Sequence, residues 1–120
     1  MKRPDIPKEA THVEYFEKLA LQRINNSPMA RIEGLNFKVQ FEITGEDEGK
    51  WTLVLEDGRA KGVIEGNGII PDCTLSMSGD VFMGIVRQEI NPQQAFFEEK
   101  IKVSGDTMLG LRMAVLASYL

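Results

Sequence analysis

At 120 residues the chain has the size of one domain able to bury its own core, and a single cysteine rules out an internal disulfide. Fourteen Lys and Arg against eighteen Asp and Glu leave a formal net charge of −4, which argues against a non-specific nucleic-acid binder, since that needs a basic face to displace counterions from phosphates. No apolar run reaches membrane-spanning length, and the opening MKRPDIPKEA is too polar and proline-broken for a secretory leader, so the expected setting is a reducing cytoplasm.

Residues 1–7, with Pro4 and Pro7, predict a flexible arm on a single domain of residues 1–120. In residues 8–24 the apolar side chains Val13, Phe16, Leu19, Ala20 and Ile24 recur at three- and four-residue steps, which predicts a helix with one buried face. Asn25, Asn26, Ser27 and Pro28 end it, and residues 29–34 allow one more helical turn. Phe37, Val39, Phe41 and Ile43 then alternate with Lys38, Gln40 and Glu42, the period of a strand with one apolar face.

The polar stretch GEDEGK predicts a turn, after which residues 51–56 should pair antiparallel with the first strand. Asp57 and Gly58 make a second turn, and Val63 with Ile64 suggests a short third strand broken by glycines. Cys73, Leu75 and Met77 alternate with polar neighbours in a fourth strand, with Cys73 as an inert buried thiol. Asp80 is the expected cap of a helix carrying Phe82, Ile85 and Val86.

Residues 91–105, NPQQAFFEEKIKVSG, carry the densest signal. Asn91 and Pro92 announce a helix start, and adjacent Phe96 and Phe97 point about 100° apart, so both are buried only if apolar material lies on more than one side. A core supplies that, and so does a ligand cavity. Ile101 and Val103 alternate with Lys102 and Ser104 as a fifth strand, and Asp106 or Thr107 caps a final helix whose apolar residues cover more than one stripe.

Motifs for chemistry are sparse. His12, the one histidine, has no nucleophile motif beside it and reads as an exposed helix residue, and one His with one Cys does not make a clustered metal site. Gly66-Asn67-Gly68-Ile69-Ile70-Pro71 begins like a dinucleotide fingerprint, but proline replaces the third glycine and a strand follows, so no cofactor is expected. Glu46, Asp47 and Glu48 need no role beyond solvating a turn; the Glu98 and Glu99 pair reads the same way, or frames a site entrance. Asp72 ends a turn. Met77, Met83, Met108 and Met113 are adaptable fillers of a core, and the same softness suits a cavity for variable lipids.

The order of segments from Trp51 through PDCTLSMSGDVFMGIVRQEINPQQAFFEEKIKVSGDTMLGLRMAVL resembles the sterol carrier protein 2 domain family, of a prokaryotic-type stand-alone or excised form. The resemblance implies an α+β fold: a five-stranded, mainly antiparallel sheet packed with helices enclosing an apolar tunnel. It implies pocket-lining roles for Phe82, Met83, Val86, Phe96, Phe97, Met108, Leu109, Leu111, Met113 and Leu116, with residues 108–116 in a mobile lid. Glu98-Glu99-Lys100 departs from the family's common Gln-Gly-Lys, replacing a glycine near the tunnel.

The expected function is therefore a non-enzymatic module that binds or transfers a sterol, fatty acid, acyl-CoA or other apolar ligand. The expected partners are that apolar molecule and, transiently, a membrane, with the protein a monomer or weak dimer and with no nucleic acid or metal. The alternative is an accessory interaction or dimerisation domain of a larger enzyme or complex, with weak or no lipid binding. An enzyme acting on bound lipid lacks a candidate nucleophile.

Overall fold

The computed structural model describes residues 6–25, 36–57, 59–66 and 68–106. Five strands, β1 (Phe37–Thr44), β2 (Gly49–Glu56), β3 (Arg59–Glu65), β4 (Cys73–Ser78) and β5 (Lys102–Gly105), form one sheet in the order β3-β2-β1-β4-β5. The β1–β2, β2–β3 and β4–β5 pairs are antiparallel and β1–β4 is parallel, which makes the sheet mixed though mainly antiparallel.

Register explains why the apolar alternation yields one core face. Val39 stands opposite Leu53 and Cys73, and Phe41 opposite Trp51 and Leu75, so the apolar residues of three adjacent strands share a side. Across β5 the same side continues through Val103, paired with Leu75. A one-residue slip would turn all of them over at once, so burial of this face sets the register. On the other side, Thr74 Oγ1 donates to Gln40 Oε1 at 3.3 Å and Ser76 Oγ to Glu42 Oε1 at 3.1 Å.

The first helix differs from a plain amphipathic one. α1 (His12–Glu14) runs into a π-helical segment (Tyr15–Leu19) and on into α2 (Ala20–Asn25), with the Ala20 N–H donating to the Tyr15 carbonyl. A π-turn inserts an extra residue into the 3.6 period and rotates the buried face. As a result Tyr15 is fully enclosed beside Phe16, while Val13 and Leu19 pack only partly against the core. His12 is also enclosed, which corrects its reading as an exposed residue: its Nε2 donates to the Asp47 carbonyl at 2.8 Å and its ring meets Trp51 edge-on at 5.4 Å. At the far end, the Asn25 amide docks the helix on edge strand β3 through two 3.0 Å bonds to the Ala60 backbone.

α3 (Gly79–Val86) follows β4 directly, and its cap is Ser78, whose hydroxyl accepts from the Val81 N–H; Asp80 stands in the first turn instead. There its carboxylate still complements the helix dipole. Two helices end without glycine. After α3, Gln88 has φ 62°, with Glu89 N–H donating to Gly84 O at 2.8 Å and Gln88 N–H to Ile85 O at 3.0 Å, a Schellman closure. After α4 (Pro92–Phe97), Glu99 does the same at φ 62°, with Lys100 N–H on Ala95 O and Glu99 N–H on Phe96 O. The left-handed bend therefore persists where the resemblance places a glycine.

A side chain in that region costs about 1–2 kcal/mol relative to glycine, part of which glycine returns as entropy of the unfolded chain. Glu99→Gly is accordingly expected to stabilise the domain by about 0.5–1 kcal/mol, read as a higher urea midpoint at unchanged slope. The Lys100–Glu98 pair at 3.6 Å is exposed on both sides and adds little to this balance.

Candidate functional site

The unit α3–α4–β5 holds the described half of the expected site. α3 buries Phe82, Met83 and Val86, and the sequence reason is spacing: 82, 83 and 86 lie on one face of a two-turn helix. Phe82 is claimed by the core. Its ring stacks on Phe16 at 4.8 Å and meets Tyr15 at 5.3 Å and Phe41 at 5.5 Å. Phe16 in turn stacks on Trp51 at 5.1 Å, so one aromatic cluster joins the first helix, the sheet and α3.

α4 faces differently. Asn91 Oδ1 accepts from the Gln93 and Gln94 N–H groups at 2.9 and 3.2 Å, and Pro92 occupies the first turn, as expected of this motif. The residue it turns into the core is Ala95, at 1% exposure, rather than a phenylalanine. Phe96 remains 44% exposed and Phe97 82% exposed, their rings in edge contact at 6.1 Å. Neither ring is claimed by the sealed core. The remaining expected lining residues, Met108, Leu109, Leu111, Met113 and Leu116, lie outside the described residues, as do the lid and the capping role of Thr107.

The one thiol lies at the start of β4, beside Val39 of β1 and Gly105 of β5. Cys73, 1% exposed on β4, has its thiol pushed up from 9.0 to about 11, first by burial and then by the carboxylates of Asp72 and Asp106. Asp72 is held at the strand start, accepting from the Lys38 N–H through Oδ2 at 2.7 Å. A thiol kept protonated is a poor nucleophile, in line with an inert role. Because the folded state holds this proton longer than the unfolded chain, the linked stability is fully present below pH 9.0 and is lost as pH rises toward about 11. Urea midpoints should therefore fall more steeply from pH 8 to 11 in the wild type than in Cys73→Ala, by about 2–3 kcal/mol in unfolding free energy.

Sequence reasoning missed two features of the first helix. Tyr15 escaped because a π-turn has no local signature of its own. The His12–Asp47 contact escaped because its partners lie 35 positions apart. A cleft at His12 takes Met83, but neither Phe96 nor Phe97, into its walls.

Fold and site together define a class: an α+β binding domain with a sealed aromatic core and a bare aromatic pair on one short helix. Residues 16–118 match the SCP-2 sterol transfer family. Sterol carrier protein 2 of Homo sapiens is 30% identical over 77 residues, 64% of this chain and 14% of that protein. Hydroxysteroid dehydrogenase-like protein 2 of Bos taurus is 33% identical over 84 residues, 68% of this chain and 19% of that protein. The solution structure of sterol carrier protein domain 2 of Helicoverpa armigera superposes with a TM-score of 0.72 at 25% identity, covering 96% of this chain and 92% of that one. The chain thus belongs to the SCP-2 sterol transfer family, a family of lipid-binding and lipid-transfer domains, and it spans 14% and 19% of the two longer relatives.

Proposed function

We propose that this domain carries a single apolar molecule, a sterol, fatty acyl chain or similar lipid, against a surface that includes Phe96 and Phe97. The observation that carries the reading is the exposure of those two rings, 44% and 82%, on a helix whose cap and C-terminal closure are otherwise complete. Leaving a phenylalanine in water forgoes about 1.5–3 kcal/mol of burial, a cost that a ligand's hydrocarbon would recover. In this reading Met83 and Val86 on α3 and residues 108, 109, 111, 113 and 116 complete the lining of an apolar tunnel, with Phe82 bracing it from the core side. The ligand leaves chemically unchanged, since the one thiol is buried and protonated. A lone reduced cysteine suits a cytoplasmic setting, and among the described residues no helix is long and apolar enough to cross a membrane.

A second reading is favoured by one observation, the small share of the longer relatives that this chain spans. There the domain docks on a larger enzyme or on its own copy through the same aromatic pair. Extraction of the purified protein followed by lipid mass spectrometry tests the first reading. A reproducible stoichiometric lipid is expected; a protein that stays empty and refuses added fatty acids and sterols, while forming a stable dimer on size exclusion, would favour docking instead.

A further inference from the structure

β3 is an outer strand of the sheet, bonded only to β2, and it is longer than the other edge strand, β5. The direction of its free backbone groups follows from the ladder. Gly66 N–H donates to the Lys50 carbonyl at 2.8 Å, which continues the antiparallel register and makes Ile64↔Thr52 and Gly62↔Val54 the hydrogen-bonded pairs of β2 and β3. Val63 and Glu65 alternate with them, so their N–H and C=O groups point outward, away from the sheet.

At Ala60 the outward groups are already taken. Its N–H donates to Asn25 Oδ1 and its carbonyl accepts from Asn25 Nδ2, both at 3.0 Å, so the side-chain amide stands in for one residue of a neighbouring strand. Ala60 is buried, where an unmet peptide group is costly, whereas no described residue meets the outward groups of Val63 and Glu65. Among the described residues, the edge is therefore open from Lys61 to Glu65 and bounded at one end by Asn25.

Edge strands commonly deter pairing with a lysine or a bulge, and β3 has both at Lys61. Here the lysine has its opposite charge on the same strand. Lys61 and Glu65 stand two residues to either side of Val63, both exposed, and neither forms an ion pair with a described residue. We propose that β3 pairs antiparallel with β3 of a second copy of this chain, about a two-fold axis at Val63. Val63 exchanges two backbone bonds with Val63 of the partner subunit, and Lys61 lies opposite Glu65 of the partner subunit, twice over by symmetry. Centring the axis on Glu65 would set that carboxylate against Glu65 of the partner subunit, so charge fixes the register. α4 leads into β5, the far edge of the sheet, so Phe96 and Phe97 take no part in the pairing.

Sedimentation velocity over a concentration series at low salt is expected to show a reversible dimer that weakens as salt is added. Glu65→Lys, which sets lysine against lysine at both symmetric positions, should weaken it about tenfold or more, and the exchange Lys61→Glu, Glu65→Lys should restore it to within about threefold of the native chain. Both native side chains are exposed, so each variant keeps the fold, which an unchanged urea midpoint verifies. Phe96→Ser, Phe97→Ser should leave the dimer as it is, which separates this interface from docking through the aromatic pair. The proposal is overturned by a chain that stays monomeric throughout the series, by a dimer that Glu65→Lys leaves intact or that the exchange fails to restore, or by a dimer lost in the paired phenylalanine variant.

Discussion

Phe82→Ala is expected to cost about 3–5 kcal/mol of unfolding free energy, the range for deleting a buried ring whose surroundings cannot collapse. At 1% exposure the ring touches Tyr15, Phe16 and Phe41, which come from the first helix and the central strand. Those three are tied to each other by their own ring contacts, Tyr15 to Phe16 at 5.6 Å and Phe16 to Phe41 at 5.4 Å, so they cannot all move into the gap. Against a total stability of about 5–15 kcal/mol for a domain, the loss is a large fraction. Urea denaturation measures it, and Phe82→Leu, which keeps most of the volume, should lose about 1.5 kcal/mol or less. A Phe82→Ala loss below that of Phe82→Leu would mean the ring is not held by this cluster.

The paired substitution Phe96→Ser, Phe97→Ser should show the opposite profile. With 44% and 82% of these residues already in water, little transfer free energy is lost, and the urea midpoint should move by no more than about 0.5 kcal/mol equivalent per site. Affinity for a fluorescent fatty acid should nonetheless fall about tenfold or more, because a ring that packs on ligand contributes on the order of 1–3 kcal/mol. Equal lipid affinity in the variant would remove these rings from the ligand surface and with them the observation that carries the proposed function. Together the two experiments separate phenylalanines that build the domain from phenylalanines that serve it.

Much of the scaffold was legible because it depends on periods and caps. Alternation along Phe37, Val39, Phe41 and Ile43 and along Cys73, Leu75 and Met77 became β1 and β4, and Asn91-Pro92 became the start of α4. Each is a local rule in which one residue's neighbours decide the conformation. Rules of that kind failed at Asp80, because Ser78 lay two positions earlier and took the cap of the same helix, and at His12, whose burial comes from Asp47 and Trp51, far from it in sequence.

What the amino-acid order determined by itself is the α+β composition, the apolar faces and the family, since those follow from patterning and from a long run of matched segments. Only the tertiary structure decided that β4 runs parallel to β1, that Phe82 belongs to the core while Phe96 and Phe97 do not, and that His12 is buried against Asp47 and Trp51. The reason is the same in each case. Phenylalanines are chemically alike in sequence, and what distinguishes Phe82 from Phe96 and Phe97 is which surfaces arrive from tens of residues away to exclude water from one ring and leave another bare.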